Sequence, residues 1–141
     1  MFYEPLLYPL LIQVALTFAV LCIMFLKRVA EFGKKRIDPQ MAPTRAHVRE
    51  QLTESASAAD NFQNQFELPV LFFVAVLLAI TLLLRDPLLA AMAWAFVSLR
   101  ILHALVHVTY NNVLHRFYLF ACSTIALLAL WVRLGWLIII H

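Results

Sequence analysis

A chain of 141 residues that is 64% hydrophobic and only 13% charged, with a mean hydropathy of +0.85, is too apolar for a soluble globular domain, where apolar residues make up about half. It reads as an integral membrane protein. Its 11 basic residues outnumber 8 acidic ones, but they concentrate in one polar stretch, so the excess speaks of membrane orientation and argues against a nucleic-acid partner.

Each of four apolar blocks is close to the roughly 17–20 residues that a helix needs to cross the hydrocarbon. The predicted helices cover about 6–26, 57–84, 87–109 and 115–138, with a loop over 27–56, in one membrane domain spanning 1–141. The fold class is therefore all-α: an up-down bundle of four transmembrane helices in contact with membrane lipid. Tyr3 and Tyr8 suit the membrane–water interface, and Pro5 and Pro9 suit a helix start. No basic residue precedes the first block and no small-residue cleavage site follows it, so it reads as a retained helix. On it, Gln13 and Thr17 lie four residues apart, the spacing of a polar contact to a neighbouring helix. Cys22 and Cys122 fall inside apolar blocks and read as buried free thiols.

The loop holds Lys27, Arg28, Lys34, Lys35, Arg36, Arg45 and Arg49, and the positive-inside rule makes it cytoplasmic, with both termini on the opposite side. Gly33, Pro39 and Pro43 are expected to break it up. Ser57-Ala58-Ala59-Asp60 fits a capping box that would start the second helix. Arg85-Asp86-Pro87 is too short for anything but an antiparallel hairpin, so the second and third helices are neighbours. Trp131, Arg133 and Trp136 resemble an interfacial belt with a snorkelling arginine. Short loops favour a bacterial inner membrane.

Polar residues inside the apolar blocks mark the expected site. Asn64 and Glu67 share a face of the second helix. Arg100, His103 and His107 share a face of the third over two turns. A charge at mid-membrane costs at least ~2.5 kcal/mol unless it is paired, which predicts a structural Glu67–Arg100 ion pair. With Arg28 and Arg116 at helix ends, these residues form a cluster of carboxamide, imidazoles and cations suited to an anionic ligand and an apolar partner from the lipid. Haem or metal ligation by His103 and His107 is a weaker reading, because bis-histidine haem needs facing helices. No metal is expected.

The motifs resemble those of the MAPEG family, the membrane-associated proteins of eicosanoid and glutathione metabolism, in a bacterial-type form. Asn64-Gln65-Phe66-Glu67 with Pro69 resembles the family's second-helix signature. Arg100, His103 and His107, followed by Arg116, resemble its third-helix pattern and the arginine that opens its fourth helix; Lys27-Arg28 resembles the end of its first. The resemblance implies a homotrimer that holds glutathione between subunits and acts on a lipophilic electrophile or peroxide. Arg28, Asn64, Glu67, His103 and His107 would bind the tripeptide, Arg100 would be structural, and Arg116 would stabilise the thiolate. Two positions depart from the pattern: Asp60 stands where an arginine is expected, and His107 where a tyrosine is. Arg45 or Arg49 is available as a substitute cation. A catalytically silent member that binds a lipid, another thiol or a partner protein is the alternative.

Overall fold

The computed structural model describes residues 4–140 and is all-helical over that range; Tyr3 lies outside it. The helices are α1 (Glu4–Lys35), α2 (Arg45–Gln51), α3 (Ala56–Asn64), α4 (Leu68–Thr81), α5 (Pro87–Val108) and α6 (Val113–Ile140), with a short 3₁₀ turn over Pro39–Met41. Among the described residues, four stretches are long and apolar enough to cross a membrane: Pro5–Lys35, Ala56–Thr81, Pro87–Val108 and Val113–Ile140.

The expected second helix is two helices. Pro69 lacks an N–H and its ring crowds the carbonyl four residues back, that of Gln65, so the α-ladder cannot run through. The chain breaks over 65–67, where Glu67 adopts φ −95° and ψ −99°. The expected capping box is absent as well: α3 begins at Ala56, and the Ser57 hydroxyl bonds instead to His107.

The first helix is longer than expected and absorbs the start of the basic stretch. It runs through Gly33, whose cost of about 1 kcal/mol a long helix tolerates, and its 32 residues extend ~48 Å, well beyond a ~30 Å hydrocarbon core. The extension carries the loop. Glu31 accepts hydrogen bonds from the backbone N–H groups of Glu54 (2.9 Å) and Ser55 (2.8 Å) and pairs with Lys35 at 2.6 Å. In this way α1 satisfies free donors at the start of α3, a capping role filled from another helix. Lys35 also donates to the Gln51 carbonyl at the end of α2 (2.8 Å), and Lys34 pairs with Glu54.

Helix α5 is central: half of its apolar span is buried, against 22% for α1 and α6. One of its faces changes character along its length. Leu89, Ala90, Ala93, Phe96 and Val97 belong to an apolar core with Phe72, Ala75, Val76, Leu127 and Leu130, in which the Phe72 and Phe96 rings stack at 4.7 Å. One turn later the same face carries the buried Arg100, His103 and His107. The bundle is therefore apolar at the α4–α5 hairpin end and polar at the loop end.

At the hairpin end Asp86 caps α5 through the Leu89 N–H (2.8 Å) and pairs with Arg133, so this arginine is held by a carboxylate rather than reaching only for solvent. Cys22 and Cys122 are free but lie on the outer surface, not in the core. The lipid-facing sides of α1 and α6 are apolar too, and position along an apolar block does not decide whether a small side chain points in or out.

Candidate functional site

Helix α3 has two working faces, set by helical periodicity. Ser57, Asn61 and Asn64, spaced i, i+4, i+7, face α5. The Ser57 hydroxyl donates to the His107 carbonyl (2.6 Å) and contacts its Nδ1 (3.0 Å), while the Asn61 amide donates to the Ala104 carbonyl (3.3 Å). Arg100 donates to the Asn64 carbonyl at 2.7 Å. The opposite side of α3 presents Ala56, Ala59, Asp60 and Gln63 to a cavity.

Behind the first face lies a buried polar column. Arg100, His103 and His107 are 0%, 3% and 1% exposed, and the two imidazoles pack edge to face with ring centroids 5.7 Å apart. Gln13 extends the column into α1 by donating to Gln65 (3.0 Å), whose own amide reaches back to Asn61; Thr17 bonds only within its own helix. Arg116, in the first turn of α6, is half-buried and donates to the Asn111 side chain at 2.6 Å. Several buried polar atoms here have no partner: Nε and Nη1 of Arg100, Nδ1 of His103, Nε2 of His107 and Nε of Arg116. A buried polar atom left unpaired costs about 1–3 kcal/mol, so this end of the bundle carries a concentrated polar burden.

The predicted Glu67–Arg100 contact is replaced. The helix break turns Glu67 outward, where it is exposed, and no ion pair joins it to Arg100. The same break frees the Asn64 carbonyl at the C-terminus of α3, and a guanidinium beside the negative end of a helix dipole is favourably placed. Arg100 is thus fixed by backbone, and Glu67 acts on it only through space.

The second face of α3 closes a cavity of about 750 Å³ against α1 and α2, within the roughly 300–1,000 Å³ of small-molecule sites. Its wall carries three arginines, Arg28, Arg45 and Arg49, and one carboxylate, Asp60; Met24, Val48, Leu52, Phe62 and Phe66 supply the apolar part. Asp60 is neutralised by Arg49 at 2.5 Å. No hydrogen-bond or ion-pair partner is present for Arg28 or Arg45 among the described residues. Phe66 is 58% exposed and makes a T-shaped pair with Phe62, continuing the cavity toward the outer surface.

A family model matches residues 6–136, nearly the whole chain, and its family is MAPEG. The chain belongs to the MAPEG family. No curated protein and no solved structure matches it. Four membrane-capable helices and the match together make it an integral membrane protein of the family associated with eicosanoid and glutathione metabolism.

For a MAPEG protein, the placement of the expected site residues is instructive. His103, His107, Arg100 and the backbone of Asn64 lie together on the α5 side of α3, with Arg116 near enough for its charge to act on both rings. Arg28 lies in the cavity on the other side, and Glu67 faces outward at the break. Within one chain these residues fall into two groups on opposite sides of α3, not one. Sequence reading missed Glu31, whose signal was a lone acid within a run of basic residues, and Ser57, which was assigned to a cap. It also missed that Arg49 covers Asp60.

Proposed function

We propose that this MAPEG protein is a glutathione-dependent transferase or peroxidase acting on lipophilic electrophiles. The observation that carries the reading is the cavity wall, three arginines against a single carboxylate. Glutathione has two carboxylates, which Arg28 and Arg45 complement, while Asp60 is covered by Arg49. The departure at Asp60 is thereby offset by a cation from the loop. An apolar co-substrate reaches the site from the bilayer past Phe66.

The two groups motivate the assembly. In a homotrimer, the Arg28 cavity of one copy meets the His107 and Arg116 side of the next, and the thiol lies between them with Asn64 and Glu67 at the seam. A free thiol with a pKa of about 8.5 is only a few per cent ionised at neutral pH. The Arg116 guanidinium, half-buried in a region of lowered dielectric, raises that fraction. Residues 27–56 face the cytoplasm of a bacterial inner membrane, with both termini on the other side.

The test is conjugation of glutathione to a generic aryl halide by the purified protein in detergent, with ultraviolet thiolate absorbance followed as glutathione is added. Arg116→Ala removes the thiolate signal and leaves the oligomer, read by chemical cross-linking, intact; unchanged absorbance in that variant refutes its role. The closure of His103 and His107 within one chain favours a second reading, a silent member that binds a lipid or another thiol. Glutathione binding without turnover of any aryl halide or hydroperoxide would select it.

A further inference from the structure

The sides of the cavity are held in different ways. α1 gives it Met24 and Arg28, α3 gives it Asp60 and Phe62, and the remaining side is α2, with Arg45 and Arg49. α1 and α3 belong to stretches long and apolar enough to cross the membrane, whereas α2 has seven residues and none of them is buried. A helix that short is kept in place by its contacts.

Those contacts are gathered at one end. Leu52 is 1% exposed, Lys35 donates to the Gln51 carbonyl (2.8 Å) and to the Thr53 hydroxyl (3.4 Å), and Glu31 takes the N–H groups of Glu54 and Ser55. Toward the other end, among the described residues, every hydrogen bond of 38–48 stays within 38–52: Thr44 caps α2 through the His47 N–H, and Gln51 reaches back to the Met41 carbonyl. The body of α2 is tied to α3 by the ion pair of Arg49 with Asp60. A segment with few buried groups that is fastened at one end opens at low cost.

We propose that α2 is a lid on the cavity, with residues 52–55 as its hinge and the Arg49–Asp60 pair as its latch. As a gate for the ligand assigned to this cavity, the lid rests on the reading above; the motion itself does not. Arg28 on the wall and Arg45 on the lid bring like charges to one cavity, so the latch holds together two sides that repel. An anion between them turns that repulsion into attraction, and the lid closes more firmly over a bound anion than over the empty site. Position 60 thereby gains a function: a carboxylate that repels an anion when read alone is what keeps the arginine-bearing helix in place.

The test reads access to the cavity with no ligand present. In a Cys22→Ala, Cys122→Ala background, Ala59→Cys puts a thiol on the cavity wall, and its modification by an uncharged maleimide is timed by mass spectrometry on the full-length protein in detergent at one pH. The latch side chains are 67% and 42% exposed, so breaking it by Asp60→Asn or by Arg49→Gln is expected to raise the rate about two- to fivefold, the scale of one part-exposed ion pair. On the thiol itself the two substitutions act oppositely: loss of a nearby carboxylate favours the thiolate and speeds the reaction, and loss of a nearby cation slows it. A rise in both variants is therefore the signature of an opened lid, and exchanging the charges, Arg49→Asp with Asp60→Arg, is expected to bring the rate back toward that of wild type. Any other pattern in the two single variants, unchanged rates or shifts in opposite directions included, overturns the lid and leaves the glutathione reading standing. A rise in both, together with no glutathione binding or conjugation by wild type, keeps the lid and overturns the glutathione reading instead.

Discussion

A guanidinium placed mid-way along a membrane helix must find an acceptor, and Arg100 finds the Asn64 carbonyl at the C-terminus of α3, where the chain breaks before α4. The need was legible in the sequence, since a buried cation is costly. The partner was not, because a carboxylate three residues from Asn64 looks like the obvious choice until the helix break turns it away. Asp60 shows the same limit in reverse. Read alone it repels an anion; in the structure Arg49, eleven residues earlier on α2, already covers it. Removing the charge of Asp60 while keeping its shape frees Arg49 for the ligand. Asp60→Asn is therefore expected to tighten glutathione binding by up to about tenfold, or ~1.4 kcal/mol, as read by titration calorimetry. Weaker binding in this variant would mean that the carboxylate itself holds the ligand's ammonium.

At the scale of elements, the feature with the widest consequences is the extension of α1 beyond its apolar block. It carries Glu31, 2% exposed, to the start of α3 and so connects a transmembrane helix to the loop that walls the cavity. Hydrogen bonds to a charged group contribute about 1.5–3 kcal/mol, and Glu31 accepts two from backbone besides its pairing with Lys35. Glu31→Ala is expected to destabilise the loop by about 3 kcal/mol and to expose residues 36–55 to limited proteolysis while the four long helices persist by circular dichroism. A proteolysis pattern like that of wild type would show that the loop is held elsewhere. The helix spans were largely legible, because each apolar block is close to the length of a membrane crossing. The break between α3 and α4 was less so: apolar composition runs on through Pro69, and a proline near a helix start is equally compatible with an unbroken helix.

The whole bundle is divided along its axis, with the stacked Phe72 and Phe96 in an apolar half and the Gln13–Gln65–Asn61 network and histidine column in a polar half. The apolar half is closed at its outer end by the Asp86–Arg133 pair, where Arg133 holds the Asp86 carboxyl below the usual carboxylate range, helped by the Leu89 N–H. The folded pKa lies under the unfolded one, so the stabilisation is complete above the unfolded value of about 4 and is lost as pH falls through the folded value. Thermal unfolding in detergent is expected to show a drop in midpoint below about pH 4. Asp86→Asn, which keeps the cap to Leu89, should lack that part of the pH dependence. An unchanged acid profile would assign it to other carboxylates.

Composition and block length by themselves determined that the chain is a membrane protein of four helices, because burial of apolar surface in lipid depends on how many such residues run together and on little else. Motif spacing placed Arg100, His103 and His107 on one helical face, since 3.6 residues per turn is a local property, and it identified the family. Only the tertiary structure decided which polar groups meet. The pairing of Arg49 with Asp60, of Ser57 with His107, and of Arg100 with the Asn64 carbonyl depends on a helix break and a loop docking that bring together residues 11 to 50 positions apart. No local pattern encodes those distances. The same packing put α3 between Arg28 and the histidines, and so divided one expected cluster into two groups.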